Sequence, residues 1–416
     1  MNTQLDVAII GAGPYGLSVA AYLEAAGVEH RVFGVPMESW SNNMPPGMCL
    51  KSLGLSSSLY DPQSNFTLAD FSRENGISYD PVNVPVKLEN FISYGRAFQE
   101  RFVPDVTQQR LVELCATDFG HELNFDNGET VTAQHVVLAT GVVPFKYTPS
   151  GMAHLPAALL SHSGDFGPLD RLKGKAVTVL GSGSSALDIA ALASMQGGTV
   201  TLIARSSKLE FQPAPVRRNQ SLIGRVLRRA YAPPSHGIGD GWGMLICADA
   251  PQFIHGLPDR WRAAILNNTL GPSGGYFIRD QIEQHVTLKL GRSIQQIDER
   301  NGGVQLTTVD RDGVRETLQS DHVVAATGYR VDLRQLAFLS AETLKRIRMV
   351  EHTPILSANF ESSVPGLHFV GLAAARSFGP VLRFVMGAVH PARRLAQFLP
   401  RSLLRRSISM PAAISN

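Results

Sequence analysis

The segments "VAIIGAGPYGLSVAAYLEAAGVEHRVF", Val7 to Phe33, and "VTVLGSGSSALDIAALASMQGGTVTLIAR", Val177 to Arg205, repeat one pattern. Each reads as an apolar strand, a glycine-rich turn, a helix and a second strand. The first carries Gly11, Gly13 and Gly16 as G-x-G-x-x-G; the second carries Gly181, Gly183 and Ala186 as G-x-G-x-x-A, an accepted variant. Glycines at this spacing permit a tight turn, admit a pyrophosphate close to the backbone and bring helix against strand. The helix start then presents free N–H groups and the positive end of its dipole to phosphate. Within a whole βαβ pattern the motif is specific. Two such turns imply two dinucleotides, and the economical pair is a flavin and a nicotinamide.

The strand after each turn refines this. An acid normally ends that strand and holds the adenosine ribose. The first unit has Gly34 there; Glu38, a turn beyond, would either reach the ribose or face solvent. The second ends in Arg205, followed by Ser206, Ser207 and Lys208. A guanidinium suits a 2′-phosphate, so NADPH is expected, with NADH as the alternative.

Two matching segments flank the second unit: "HVVLATG" (His135 to Gly141) and "HVVAATGYR" (His322 to Arg330). They read as crossings between a split outer domain and an inserted inner one. The expected fold is α/β, with two Rossmann-like dinucleotide-binding domains, the NAD(P)-binding one inserted into the FAD-binding one. The FAD-binding domain would take residues 1–150 and 325–416, and the NAD(P)H-binding domain residues 151–324. Residues 210–280 exceed a minimal nucleotide unit, and an irregular segment covering the substrate site is expected there. Its Trp242, Trp261, Tyr276 and Arg279 would suit a flat, polar, anionic substrate, and would equally suit ordinary packing.

Composition narrows the function class. The 416 residues carry a net charge of only +3, with part of the excess in a C-terminal run (Arg393, Arg394, Arg401, Arg405, Arg406) that reads as a solvated tail. Neither nucleic acid nor membrane is expected as a partner, and a homodimer is the default assembly. The three cysteines, Cys49, Cys115 and Cys247, form no Cys-x-x-Cys pair. Disulfide-exchange chemistry is therefore disfavoured and a reducing compartment is expected. The opening "MNTQLDVAII" enters a strand without leader features, so the expected location is cytoplasmic. The sequence shows neither an acid–base dyad nor a metal motif.

With both fingerprints and both "ATG" segments, the chain resembles the class B flavoprotein monooxygenases over residues 5–400. "LLSHSGDF" (Leu159 to Phe166) is similar to the segment preceding their nicotinamide domain but lacks the F-x-G-x-x-x-H signature of Baeyer–Villiger enzymes. "GMCLKSLGLSSSLYDPQSNFTLADF" (Gly47 to Phe71) is similar to the N-hydroxylase loop bordering flavin and substrate. "GLHFVGLAAARSFGPVLRFVMGAVHPARRLAQFL" (Gly366 to Leu399) resembles the closing flavin segment, without the Gly-Asp pair of flavin reductases. The runs "SHS" and "GPVLRFV" suggest the FAD-dependent urate hydroxylase type.

The resemblance implies an FAD- and NAD(P)H-dependent monooxygenase hydroxylating a small polar substrate with O2 through a C4a-hydroperoxyflavin. Urate is the suggested substrate; the alternatives are amine or amino-acid N-hydroxylation and a flavin reductase serving a protein or quinone. Cofactors carry such chemistry while the protein supplies position and excludes water. The cofactor-contacting residues would be Gly11, Gly13, Pro14, Tyr15, Gly16, Trp40, Met48, Thr140, Gly141, Gly181, Ser182, Gly183, Ser184, Ser185, Arg205, Thr327, Gly328, Gly371, Phe378 and Gly379. Lys51, beside Ser52, and Arg376 are the catalytic candidates; Arg383 and His162 are further ones, the latter for orienting the nicotinamide or capping a turn. Gly379 and Pro380 are expected to open a helix from Val381 to Phe398 whose positive end faces the flavin.

Overall fold

The computed structural model describes residues 3–214, 235–236, 239–269, 271 and 273–409. The first sheet begins with β1 (Thr3–Ile10) and β2 (His30–Phe33), joined by helix α1 (Pro14–Ala25). It continues through β3 (Val106–Thr107), β4 (Leu111–Ala116), β5 (His121–Phe125) and β6 (Thr130–Leu138) in the order β3-β2-β1-β6-β5-β4. β6 splits its free edge: residues 130–133 take β5 antiparallel, while residues 136–138 take the C-terminal strand 367–369 parallel. Val7, Ala8 and Ile9 are fully buried, as a parallel strand covered on both faces requires. Pro14 opens α1 at a position where no intrahelical N–H is needed. Apolar residues surround most of α1 because it lies between the sheet and the terminal helix 389–409.

The second sheet is wholly parallel. It contains β7 (Leu160–His162), β8 (Ala176–Leu180), β9 (Thr199–Ala204), β10 (Thr287–Leu290) and β11 (His322–Ala325), ordered β10-β9-β8-β11-β7. Helix α2 (Ser184–Met195) joins β8 to β9. A three-stranded antiparallel meander, residues 293–320, lies beside it. All strands of the second sheet thus fall within residues 160–325, and those of the first within 3–138 and 367–369.

Two expectations need correction. Among the described residues, the 210–280 region includes the helices α3 (Trp242–Asp249), α4 (Pro251–His255) and α5 (Asp259–Asn268) rather than an irregular segment. Their small core of Cys247, Ala248 and Ile254 packs on Phe384 and Met386 of the C-terminal segment. The helix expected from Val381 begins only at Val389, as α6 (Val389–Ser409). Two short 3-10 turns, Pro380–Arg383 and Val385–Ala388, precede it. A Cβ on Gly387 would lie 2.3 Å from the Val381 carbonyl oxygen and 2.5 Å from the Tyr15 hydroxyl, so the chain folds back tightly there. Among the described residues no helix is long and apolar enough to cross a membrane.

Candidate functional site

The first turn is built by close backbone contact. The Gly11 N–H donates to the Phe33 carbonyl at 2.8 Å, and Gly11 has φ 114°. A Cβ on Gly11 would stand 2.3 Å from the Ala139 carbonyl oxygen, and one on Gly16 only 1.8 Å from that of Gly11. Gly13, by contrast, faces open space within 4 Å, and as N-cap of α1 it leaves the helix start without a side-chain cap. The second turn repeats this. Gly181 has φ 137°, its N–H donates to Ile203, and a Cβ there would lie 2.4 Å from the Ala326 carbonyl oxygen. Gly183 caps α2, again with no side-chain bond. Both helix starts therefore keep N–H groups available to an anion, which fits the pyrophosphate of a dinucleotide.

The other nominated residues fall into distinct places. Tyr15 sets its hydroxyl 2.9 and 2.8 Å from the Leu382 and Phe384 carbonyls, clamping the closing segment to the first turn. Burial pushes its pKa well up, so it remains neutral. Thr140 and Gly141 follow β6 beside that turn, since Ala139 N–H donates to Ile10. Gly371 lies against the Tyr15 ring. Trp40 packs edge-on to Phe91 at 4.6 Å. The Met48 carbonyl accepts from Leu88 N–H at 2.9 Å. Phe378 is fully buried between Phe360 and His255, with ring centroids 3.9 and 4.7 Å away, so its face is occupied by protein. Gly379 is covered by Ile254 of α4.

In the second unit the Ser184 hydroxyl donates to the Ser273 carbonyl. Ser182 and Ser185 flank the turn. Arg205 is exposed at the end of β9, with no ion pair among the described residues. The Thr327 hydroxyl donates to the Tyr147 carbonyl, and the Gly328 carbonyl accepts from His162 Nε2 at 3.0 Å. His162 Nδ1 in turn accepts from Gly164 N–H, capping the Ser163–Asp165 turn, and burial lowers its pKa. His162 thus serves the turn, the second of its two expected roles.

The two catalytic candidates are both spent on acids. Lys51 forms a hydrogen-bonded ion pair with the buried Asp188 of α2. Arg376 bridges Asp259 of α5 at 2.9 Å and Glu351 at 2.7 Å. The Arg376 guanidinium in turn holds the Asp259 carboxyl below its ordinary range. Arg383 donates to the Thr269 carbonyl at 3.0 Å. Trp242 and Trp261 are exposed on the inserted helices, Arg279 pairs with Glu283, and Tyr276 donates to the Asn83 carbonyl. Among the described residues, no hydrogen bond, ion pair or ring contact joins these four. Glu38, the proposed ribose acid, lies 3.5 Å from Arg110.

Sequence reasoning missed two features. An apolar cleft of about 430 Å³ lies between α3, α4 and α5, lined by Met244, Cys247, Phe253, Leu257, Ile265 and Thr269 among others. It is built from the inserted helices and not from either turn. His135, His368 and Glu361 also come together, with candidate ligand atoms within 4.8 Å. The two imidazoles are joined by a 3.2 Å hydrogen bond, and Glu361 accepts from Gly366 N–H. The paired "HVV" and "HFV" strands were the only sequence signal.

One stretch joins the two units. Met37 N–H donates to the Ala12 carbonyl at the first turn, Asn43 donates to the Gly164 carbonyl, and Lys51 reaches Asp188 on the second helix. Residues 37–52 thus run from one nucleotide turn to the other unit's helix.

Fold and turns together define a flavoprotein-type oxidoreductase with two dinucleotide units. The chain belongs to the pyridine nucleotide-disulphide oxidoreductase family, whose model matches residues 5–223. It is an enzyme family, and this member has no Cys-x-x-Cys. A trimethylamine monooxygenase from Pelagibacter sp. (strain HTCC7211) is 28% identical over 232 residues. That match covers 50% of this chain and 52% of the relative, so it spans about half the length of each. Among solved structures, an ornithine N-hydroxylase from Kutzneria sp. 744 is similar with TM-score 0.75 and 15% identity, covering 96% of this chain and all of that one. An FAD-bound cadaverine monooxygenase from Erwinia amylovora gives TM-score 0.72 and 18% identity, covering 96% and 95%. A bacillithiol disulfide reductase from Staphylococcus aureus gives TM-score 0.63 and 17% identity, covering 97% and 99%. At these identities the structural likenesses show a shared fold.

Proposed function

We propose that this protein is an NADPH- and FAD-dependent monooxygenase acting on the nitrogen of a small amine. The observation that carries this reading is residues 37–52, tied at one end to the first turn and at the other to the second helix. A substrate lying along that stretch would meet both cofactors. The first turn would hold FAD: the open face at Gly13 and the uncapped start of α1 suit its pyrophosphate. The second would hold NADPH, with exposed Arg205 beside the 2′-phosphate. When bound, the pair supplies hydride transfer and activation of O2. The chain's part is to bind, orient and shield: Tyr15 locks the closing segment over the first turn, and Gly34 admits the backbone close to Gly11 and Ala12.

Amine oxygenation, the alternative drawn from the sequence, is favoured over urate hydroxylation. Lys51 and Arg376, the cationic catalytic candidates, are already neutralised by Asp188, Asp259 and Glu351. Urate is an anion at neutral pH and would lack those anchors, whereas an amine does not need them. The relative that acts on trimethylamine and the structural neighbours named for ornithine and cadaverine support the same direction.

The test incubates FAD-loaded protein with NADPH, labelled O2 and a panel of trimethylamine, cadaverine, ornithine and urate. A labelled N-oxide or hydroxylamine from an amine is expected. Labelled product from urate alone would overturn the amine reading. Stoichiometric peroxide with every compound would replace it with the reductase.

A further inference from the structure

Lys51 and Asp188 lie 137 positions apart, yet each hides its charge against the other. Their side chains are only 16% and 6% exposed. The grip on the loop extends beyond this pair. The Lys51 carbonyl accepts from Gln212 Nε2 at 3.2 Å, and the ammonium stands 4.9 Å from the centre of the Phe277 ring. The Tyr276 hydroxyl donates to the Asn83 carbonyl at 3.1 Å. A Cβ on Gly47 would touch Leu192 of α2 at 3.4 Å. Three parts of the second unit, α2, Gln212 and residues 276–277, thus hold one loop system of the first.

The placement of Asp188 gives the contact a function. Helix α2 begins at Ser184, directly after the second turn, so Asp188 lies one helical turn behind the N–H groups that face a phosphate. Burial pushes the Asp188 carboxyl up while Lys51 pulls it down. A buried ion pair is a weak source of net stability, because desolvation offsets much of the attraction. Its charges do penalise any other register of the loop, since a shifted loop strands both in a dry site.

We propose that Lys51 and Asp188 are a positioning pair that sets the 47–52 loop against the nucleotide helix, so that bound nicotinamide meets the flavin in one geometry. This rests on the two-cofactor reading of the preceding subsection. Displacing reacting groups by about 1 Å costs on the order of a hundredfold in rate. The pair therefore acts on the rate of hydride transfer more than on the binding of either cofactor.

The experiment compares wild type with K51M, D188N, K51R and the double variant K51M/D188L. Four quantities are read: FAD content, thermal midpoint, the Kd for NADPH, and the limiting rate of anaerobic flavin reduction. K51M and D188N are expected to keep their FAD and an NADPH Kd within about twofold, while the limiting rate falls on the order of tenfold to a hundredfold. K51R should recover most of that rate. K51M/D188L removes both charges and should regain the thermal midpoint without regaining the rate. Single variants that reduce flavin at the wild-type rate would overturn the proposal. So would a double variant that recovers rate and stability together, because the pair would then be structural. If the single variants fail to fold, the double variant alone decides by the same criterion. Anaerobic reduction needs no substrate, so failure of the amine reading leaves this measurement intact; loss of NADPH-driven reduction in wild type would overturn both.

Discussion

The two glycine-rich turns share a motif and differ in their surroundings. Around the first, backbone meets backbone: Gly16 is pressed on Gly11, α1 is covered by α6, and Tyr15 fastens the closing segment across the turn. Around the second the packing is looser. Ala186 stands where Gly16 stands in the first, its Cβ 3.5 Å from a Cβ built on Gly181, an ordinary contact. Beyond it the strand ends in an exposed Arg205. Among the described residues, the first turn has the closer contact at its third motif position and the second is followed by an exposed arginine; under the proposed assignment the first would retain a flavin and the second would exchange a nicotinamide.

The sharpest way to break this contrast is to exchange the third residue of each motif. Gly16→Ala places a methyl 1.8 Å from a backbone oxygen that cannot move aside. Overpacking of this kind costs about 1–3 kcal/mol or more, and the purified variant should lack flavin. Ala186→Gly should cost only about 1 kcal/mol of helix propensity and leave flavin content unchanged. Equal losses in the two variants, read by flavin absorbance and thermal melts, would refute the asymmetry.

A smaller effect is expected at the open end. If Arg205 holds the 2′-phosphate as proposed, Arg205→Ala would remove a charge-assisted hydrogen bond worth about 1.5–3 kcal/mol. The KM for NADPH should rise on the order of tenfold or more, and that for NADH should stay unchanged. An equal rise for both would remove Arg205 from the 2′-phosphate.

The smallest effect is with pH. Burial lowers the pKa of His162 and His322, both in the second sheet, below the ordinary value of 6.5. Between the lowered folded value and 6.5 the unfolded chain binds more protons, so stability rises with pH across that window and is lost as pH falls through it. Thermal melts from pH 7.5 down to 5 (about one unfolded-state window) should show a declining midpoint that His322→Gln flattens in part. A midpoint independent of pH in that range would show that neither imidazole is held neutral.

Both nucleotide turns were legible because their signal is local: a tight turn needs glycine within a few residues of the strand that precedes it. The matching strands β6 and β11 were legible as well, since buried parallel strands are continuous apolar runs. The fate of Lys51 and Arg376 was not, because no spacing rule links Lys51 to Asp188 or Arg376 to Asp259 across more than a hundred residues. Local signals also misled at Gly379 and Pro380. They do start a helical turn, but the contact of Gly387 with Tyr15 decides where the long helix begins, and that contact spans nearly the whole chain.

The Tyr15 clamp also bears on the order in which a ribosome-borne chain can finish. The second sheet draws its strands from residues 160–325, all made before the closing segment. The first sheet waits for residues 367–369, and its turn for the carbonyls of Leu382 and Phe384. Domains fold as units during synthesis; here the unit begun before the other is completed after it, and its nascent first strands must be kept from pairing elsewhere until residues 367–384 have been made.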